Sequence, residues 1–190
     1  MGHNVLVMGK NVLDHREVLD IVATPSGALA TATKDDVGIA EGKAFLLTGT
    51  YEGLATDAVL YMLMDGNGVD GFHFHDFKVN TIGSPVLVEF FESPTVTVNG
   101  TAMVGTNQNR LSTNTATALT YIGSTVTDDG TFLGSAEILG VTTSNNSIGE
   151  ADMGSDWVLD PAKLYIFKFT NGFNQAVDLH FNFQWHEHEA

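Results

Sequence analysis

The sequence predicts an all-β protein, an antiparallel jelly-roll-like β-sandwich preceded by an extended N-terminal arm. From Gly42 onward, short segments rich in β-branched and aromatic residues are separated by clusters of Gly, Asn, Asp and Ser. The segment Ala176–His186 alternates strictly between apolar and polar residues, as a strand with one buried face does. No long amphipathic helix pattern occurs. We therefore divide the chain into an arm, Met1–Glu41, and a sandwich domain, 42–190.

The composition indicates one folded domain and excludes several functions. The 190 residues are 43% hydrophobic and 16% charged, which argues against intrinsic disorder. Eight Lys and Arg face 23 Asp and Glu, giving a net charge of −15, whereas proteins that bind phosphates or anionic membranes carry basic clusters. We expect neither nucleic acid nor a membrane as partner. The absence of cysteine excludes disulfides and thiolate metal sites.

The N-terminal region has the character of an arm. Its apolar residues, Val5–Leu19, are irregularly spaced, and a run rich in Ala, Thr and Gly follows them. One short helix near Asp14–Ile21 is compatible with this pattern. The charges of Asp14 and Arg16 come too early for a secretory signal peptide, so we expect synthesis and folding in a cytoplasm.

Ten segments of the sandwich domain have the length and composition of strands. They are Ala44–Thr50, Ala58–Met64, Gly71–Asn80, Val86–Glu92, Thr95–Val98, Ala116–Val126, Thr131–Leu139, Trp157–Leu159, Lys163–Thr170 and Ala176–His186. Turn residues that tolerate positive φ separate many of them.

The third segment, Gly71–Asn80, predicts a β-bulge. Phe72 and Phe74 share one parity of the strand, whereas Phe77 and Val79 share the other. One extra residue near His75–Asp76 would keep all four side chains on the buried face.

Two strands are apolar on nearly both parities, Ala58–Met64 and Leu164–Phe169. This pattern is typical of strands covered on both faces. We expect either the arm or a neighbouring subunit to cover the second face.

Two histidine pairs, His73/His75 and His186/His188, have the spacing of metal ligands on one strand face. Because a metal site needs three or four converging ligands, solvated histidines on an outer face are the favoured interpretation. The loop Asp65–Asp70 begins like a calcium loop but has Val69 at its fifth position, so a plain hairpin turn is favoured over an irregular calcium site.

Known catalytic motifs are missing from the sequence. Glu89 with Glu92, or Asp128 with Asp129, are the carboxylate pairs that a glycosidase could use, but no neighbouring group marks either pair as tuned for catalysis. We predict no enzymatic activity, no catalytic residue, no bound metal and no cofactor.

Several segments occur in an order that resembles a known group of proteins. They are Phe72-His-Phe74, Ser84-Pro-Val-Leu-Val-Glu-Phe90, Glu92-Ser-Pro-Thr-Val-Thr-Val-Asn-Gly-Thr101, Asn107-Gln-Asn-Arg110, Asp129-Gly130, Ser155-Asp-Trp-Val-Leu-Asp-Pro161 and Phe183-Gln-Trp-His-Glu-His188. Together, from about Gly42 to the C-terminus, they resemble tailed-bacteriophage virion proteins that decorate or cement the capsid.

The resemblance implies a β-sandwich behind an N-terminal arm, a homotrimer, and attachment to the major capsid protein on the outer surface of the virion. The acidic charge agrees with the outside of a DNA-filled shell. In this sequence the expected Asn-Arg-Asn-Ser is Asn107-Gln-Asn-Arg-Leu-Ser112, and the expected Trp-Tyr-Glu-His is Trp185-His-Glu-His188.

Two other functions stay open at this point. A receptor-binding or head/tail fibre domain would recognise a host surface glycan through the polar loops Asn107–Thr117 and Thr142–Asp156. A cupin-like metalloenzyme would use His73 and His75 as ligands.

Overall fold

The computed structural model describes residues 21–23, 29–31, 38–69, 71–82, 85–138, 149–152 and 157–188. These residues form sixteen strands. The strands are β1 (Ile21–Ala23), β2 (Leu29–Thr31), β3 (Ala44–Leu54), β4 (Val59–Asp65), β5 (Gly71–Ile82), β6 (Val86–Glu92), β7 (Thr95–Val98), β8 (Thr101–Met103), β9 (Thr106–Asn107), β10 (Leu119–Ile122), β11 (Thr125–Asp128), β12 (Thr131–Ile138), β13 (Gly149–Asp152), β14 (Trp157–Leu159), β15 (Leu164–Thr170) and β16 (Val177–His188).

Most strands belong to two large antiparallel sheets. The first sheet has the order β12-β6-β15-β4-β10-β8, and the second has the order β13-β5-β16-β3-β9, with β14 also paired to β5. Every strand pairing is antiparallel. The prediction of an all-β, antiparallel protein is confirmed.

Eight strands, β3 to β6, β12, β13, β15 and β16, make up the body of the two sheets. Numbered one to eight along the chain, they occur in the orders 1-8-3-6 and 2-7-4-5. Successive strands therefore change sheet at every step except from β6 to β12, which pair in the first sheet. The eight strands thus form two four-stranded antiparallel halves of a β-sandwich.

Aromatic rings fill the space between the two sheets. Phe77 of β5 stacks on Phe167 of β15 with ring centroids 4.2 Å apart and planes 6° from parallel. Phe183 of β16 meets Phe77 edge-on at 4.5 Å, and Phe90 of β6 stacks on Phe167 at 4.5 Å. All four rings are buried. Contacts across the interior therefore hold the sheets face to face as a sandwich.

The bulge in β5 is confirmed. Gln184 of β16 pairs with Asp76, and the next residue, Trp185, pairs with Phe74, so His75 is the extra residue. The four apolar side chains on either side of it are all buried. They are Phe72, Phe74, Phe77 and Val79.

The expectation about the two-sided apolar strands is wrong in its choice of cover. A second apolar cluster on the outer face of the first sheet contains Leu63, Phe91 and Ile166, and the side chains packed on it include Val96 and Val126. The last two belong to β7 and β11, which form a separate two-stranded ribbon. A hairpin-like ribbon of the same chain therefore covers this face.

Asp129, at the end of the ribbon, ties it to the sheet beneath. Its carboxylate accepts a hydrogen bond from the Tyr61 hydroxyl (2.9 Å) and one from Lys168 Nζ (2.6 Å). The bond to Asp129 raises the pKa of Lys168, and burial together with the bond to Asp129 raises the pKa of Tyr61. Lys168 Nζ also lies 3.8 Å from a Glu89 oxygen. These polar contacts fix the position of the ribbon beside the second apolar cluster.

Two sequence predictions about local structure are corrected. The segment Ala116–Val126 is not one strand but β10 and β11, because the chain turns at Gly123, where φ is +75°, and leaves the sheet. The turn at Asp65–Asp70 is not a hairpin, because β4 and β5 lie in different sheets.

Part of the arm lies within the described residues. β1 and β2 pair with each other as a two-stranded sheet of their own. The predicted helix at Asp14–Ile21 lies outside the described residues except for Ile21, which begins β1. Among the described residues, no helix has the length and apolar character needed to cross a membrane.

Replacing Phe167 by Ala tests the aromatic interior. The ring contacts Phe77, Phe90 and Phe183, and its loss leaves a cavity between the sheets. We expect the free energy of unfolding, measured by denaturant titration, to fall by about 3–5 kcal/mol. The control, Val158→Ala, changes a side chain that is 71% exposed and should cost no more than about 0.5 kcal/mol. Equal losses in the two variants would contradict this account of the core.

Candidate functional site

The point where the arm joins the sandwich is held by an asparagine-rich loop. We call the contact between residues 38–43 and the loop Asn107–Thr117 the arm junction. Asn107 is buried, and its side-chain nitrogen donates to the carbonyl oxygens of Gly42 (2.8 Å) and Asn114 (3.1 Å). Its side-chain oxygen accepts the backbone N–H of Asn109 (2.9 Å). One buried amide thus joins Gly42, directly after the arm, to two points of the loop.

Two further asparagines extend the junction on both sides. The Asn109 side chain donates to the Ala40 carbonyl (3.0 Å) and accepts the backbone N–H of Leu111 (3.0 Å). The Asn114 side chain donates to the Gly42 carbonyl at 3.3 Å. The residues 38–40 are helical, and their carbonyls accept bonds from the backbone N–H groups of Gly42 and Lys43. The last residues of the arm are therefore fixed in position and direction.

Glu187, the next-to-last residue of β16, is a buried carboxylate that binds the same loop. Its oxygens accept the backbone N–H groups of Thr117 (2.9 and 3.1 Å) and Ala118 (2.9 Å). They also accept the indole N–H of Trp185 at 3.0 Å. Because a buried carboxylate needs such donors, Glu187 has a structural role. Its place between His186 and His188 in the sequence gives no sign of this role.

An open cleft of about 510 Å³ lies beside the junction. Its lining combines the arm, the asparagine-rich loop and the end of β16. The lining residues are Gly42, Lys43, Phe45, Gly68, Val69, Thr113, Asn114, Thr115, Thr117, Glu187 and His188.

The structure brings the two predicted histidine pairs together. His186 of β16 lies directly opposite His73 of β5. Ring centroids are 4.5 Å apart for His73 and His188, 6.1 Å for His73 and His75, and 4.3 Å for His75 and His186. The four rings form a row on the face of the second sheet that is turned away from the aromatic interior.

The histidine row does not have the arrangement of a metal centre. Within the described ranges, no group of three or more His, Asp or Glu residues is placed to hold a metal ion. A cupin-like centre would need its ligands inside the barrel, whereas Phe72 and Phe74 occupy the inward positions of β5. One member of the row, His186, lies against the segment that precedes β3, since a Cβ atom at Gly38 would come within 2.9 Å of His186 Cε1.

The possible calcium loop contains a backbone turn. Asp65 Oδ1 accepts the backbone N–H of Asn67 at 2.8 Å, and the Asn67 side chain donates to the Thr117 carbonyl at 3.1 Å. Asn67 and Gly68 both have positive φ. Asp70 lies outside the described residues. The described part of the loop thus contacts the asparagine-rich loop.

The carboxylates considered for glycosidase chemistry do not form a pair. Glu89 and Glu92 differ by an odd number of positions on β6 and so face opposite sides of the sheet. Glu92 accepts bonds from Lys163 Nζ (2.8 Å) and the Tyr165 hydroxyl (3.2 Å), whereas Glu89 is next to Lys168. Asp129 anchors the ribbon, while Asp128 accepts the backbone N–H of Gly130 at 2.9 Å.

No protein-family model matches the chain, and a search of curated proteins gives no match.

Replacing Asn107 by Ala tests the arm junction. The variant leaves the Gly42 and Asn114 carbonyls without their buried donor, and we expect it to lower stability by about 1–3 kcal/mol. Hydrogen–deuterium exchange at the amides of Gly42 and Lys43 should become faster. Leu111→Ala is the matched control, because this side chain of the same loop is 95% exposed. Unchanged exchange in Asn107→Ala would contradict the role of this amide.

The phenol of Tyr165 gives a pH dependence. Burial, above all, raises its pKa from 10.0 to about 12. The folded state therefore keeps the proton at a pH where the unfolded chain loses it, so this contribution to stability is complete below pH 10 and is lost as the pH rises towards 12. We expect the unfolding free energy of Tyr165→Phe to fall less steeply over this range than that of the wild type. Parallel profiles for the two proteins would contradict this prediction.

Proposed function

We propose that the protein is a structural component of a tailed-phage virion that decorates and cements the outer capsid surface. It bridges subunits of the major capsid protein and forms a homotrimer. The observation that carries the proposal is the arm junction, because hydrogen bonds from three asparagines, one of them buried, fix the direction in which residues 38–43 leave the sandwich. An arm held this way can tether a rigid domain to a lattice and add affinity through a second contact.

Segments that carry the phage resemblance have structural roles that support the proposal. Asn107 and Asn109 hold the arm, and Asp129 anchors the ribbon. Trp157 packs edge-on against Phe90 with ring centroids 5.6 Å apart. The segments that carry the resemblance thus contribute residues to the junction, the ribbon and the core.

Charge supports the outer surface as the location. The net charge of −15 disfavours contact with packaged DNA, whose phosphates would repel it. The non-enzymatic role agrees with the candidate carboxylates, which are engaged by lysines, a tyrosine and backbone N–H groups.

A glycan-binding fibre domain receives less support. Its proposed loop Asn107–Thr117 uses the side chains of Asn107, Asn109 and Asn114 for internal hydrogen bonds, so these amides are not available to a sugar. The second loop, Thr142–Asp156, is described only at 149–152. Densitometry of purified particles separates the two functions, since a decoration protein is present in hundreds of copies and a fibre in a few.

Deleting residues 1–37 tests the proposed function. The deletion ends before the arm junction, so the sandwich should fold with an unfolding transition close to that of the full chain. The binding partners are purified phage capsids from which this protein has been removed. We expect the truncated protein not to bind these capsids in a co-sedimentation assay. A full-length control, in which residues 1–20 are replaced by a Gly/Ser sequence, separates the loss of arm contacts from a change in length. Normal decoration by the truncated protein would contradict the proposal.

A further inference from the structure

Within the described residues, the outer edge of β3 is unpaired along most of its length. β9 pairs with β3 only at Phe45 and Leu46. Among the described residues, no other strand pairs with this side of β3. We call residues 47–51 of this side the open edge. An unpaired strand edge is a template for a strand from another chain.

The hydrogen bonds around β3 show which backbone groups point to the open edge. The Lys43 carbonyl accepts the Glu187 N–H on the β16 side, whereas the Ala44 carbonyl accepts the Gln108 N–H on the β9 side. Because backbone groups alternate along an antiparallel strand, Thr48 and Thr50 direct their N–H and C=O groups away from β16. Both residues are exposed, so a partner strand can reach these groups.

A structural feature at each end of the open edge limits the length of an added strand. At the start of β3, the strand β9 and the asparagine-rich loop occupy the edge. At the far end, β3 bulges where Gly53 has a φ of +71° and its N–H bonds to Asp178 at 2.7 Å. An added strand therefore has room only along residues 47–51.

We propose that the open edge accepts the N-terminal arm of a second copy of this chain as an added β-strand. This deepens the homotrimer part of the proposed function. The twenty residues before β1 include the strand-forming Val5, Val7 and Val12. Fully extended, they span about 66–72 Å, against about 40 Å for the diameter of a domain of this size. The arm of one subunit is therefore long enough to reach β3 of the next.

Proline at Thr50 tests the open edge. Thr50→Pro removes an N–H that points away from β16, so it costs the sandwich no ladder hydrogen bond and blocks an added strand. We expect sedimentation to show self-association at least tenfold weaker than that of the wild type. Thr50→Val keeps the N–H and should associate like the wild type. Normal association of a folded Thr50→Pro protein would overturn the proposal.

Hydrogen exchange keeps the test decisive if Thr50→Pro does not fold. In the wild-type protein, the amides of Thr48 and Thr50 should exchange at least tenfold more slowly when the protein is associated than when it is diluted to the monomer. Equal rates in the two states would overturn the proposal.

Cysteine cross-linking identifies the strand, since the chain has no cysteine of its own. Val7→Cys and Thr48→Cys proteins are mixed and oxidised, and a disulfide between two different chains is expected. No mixed product, or a product formed only when both cysteines are on one chain, would overturn the proposal. Failure of the capsid proposal is distinguishable, because Thr50→Pro is tested for self-association in solution and for capsid binding separately.

Discussion

The aromatic contact between the two sheets is the constraint on which the other features depend. Phe77, Phe167, Phe90 and Phe183 meet at ring centroid distances of 4.2–5.3 Å, and this packing sets the spacing and the relative position of the sheets. The same packing requires four apolar side chains of β5 to point inward, although two of them lie at even and two at odd positions of the strand. The extra residue at His75 meets that demand. The outward histidine row is a consequence of the same alternation.

One long insertion adapts this sandwich for contacts outside its core. The chain between β6 and β12 forms the ribbon over the first sheet and the loop that holds the arm. Asp129 fixes the ribbon through hydrogen bonds to two strands, and Asn107 and Asn109 fix the arm junction. The body of the fold and the elements proposed for assembly are thus separate parts of one chain, joined at a few polar side chains.

The sequence was sufficient for the all-β class, the ends of several strands and the bulge, because these follow from short-range alternation. β6, β7 and β14 have the predicted bounds, and His75 is the bulged residue. The sequence pattern could not show that a ribbon covers the second apolar face, because this cover depends on the pairing of segments that are distant in the chain. β8 and β9 were missed because strands of three and two residues are too short to show a periodic pattern.

The residues of the candidate site could likewise be predicted only in part. His73, His75, His186 and His188 were identifiable as two pairs, but only the pairing of β5 with β16 places them in one row. The roles of Asn107 and Glu187 depend on partners far away in the chain, Gly42 and Thr117. Spacing along the sequence contains no information on such contacts.

Cryo-electron microscopy of the intact virion tests the central claim most directly, because it shows where the sandwich lies and which end faces the shell. If the protein decorates the capsid, many copies of a three-fold cluster of sandwiches lie on the outer capsid surface, with the arm junction directed towards the major capsid protein. Density for the sandwich only at the tail or a fibre, or on the inner side of the shell, would contradict it.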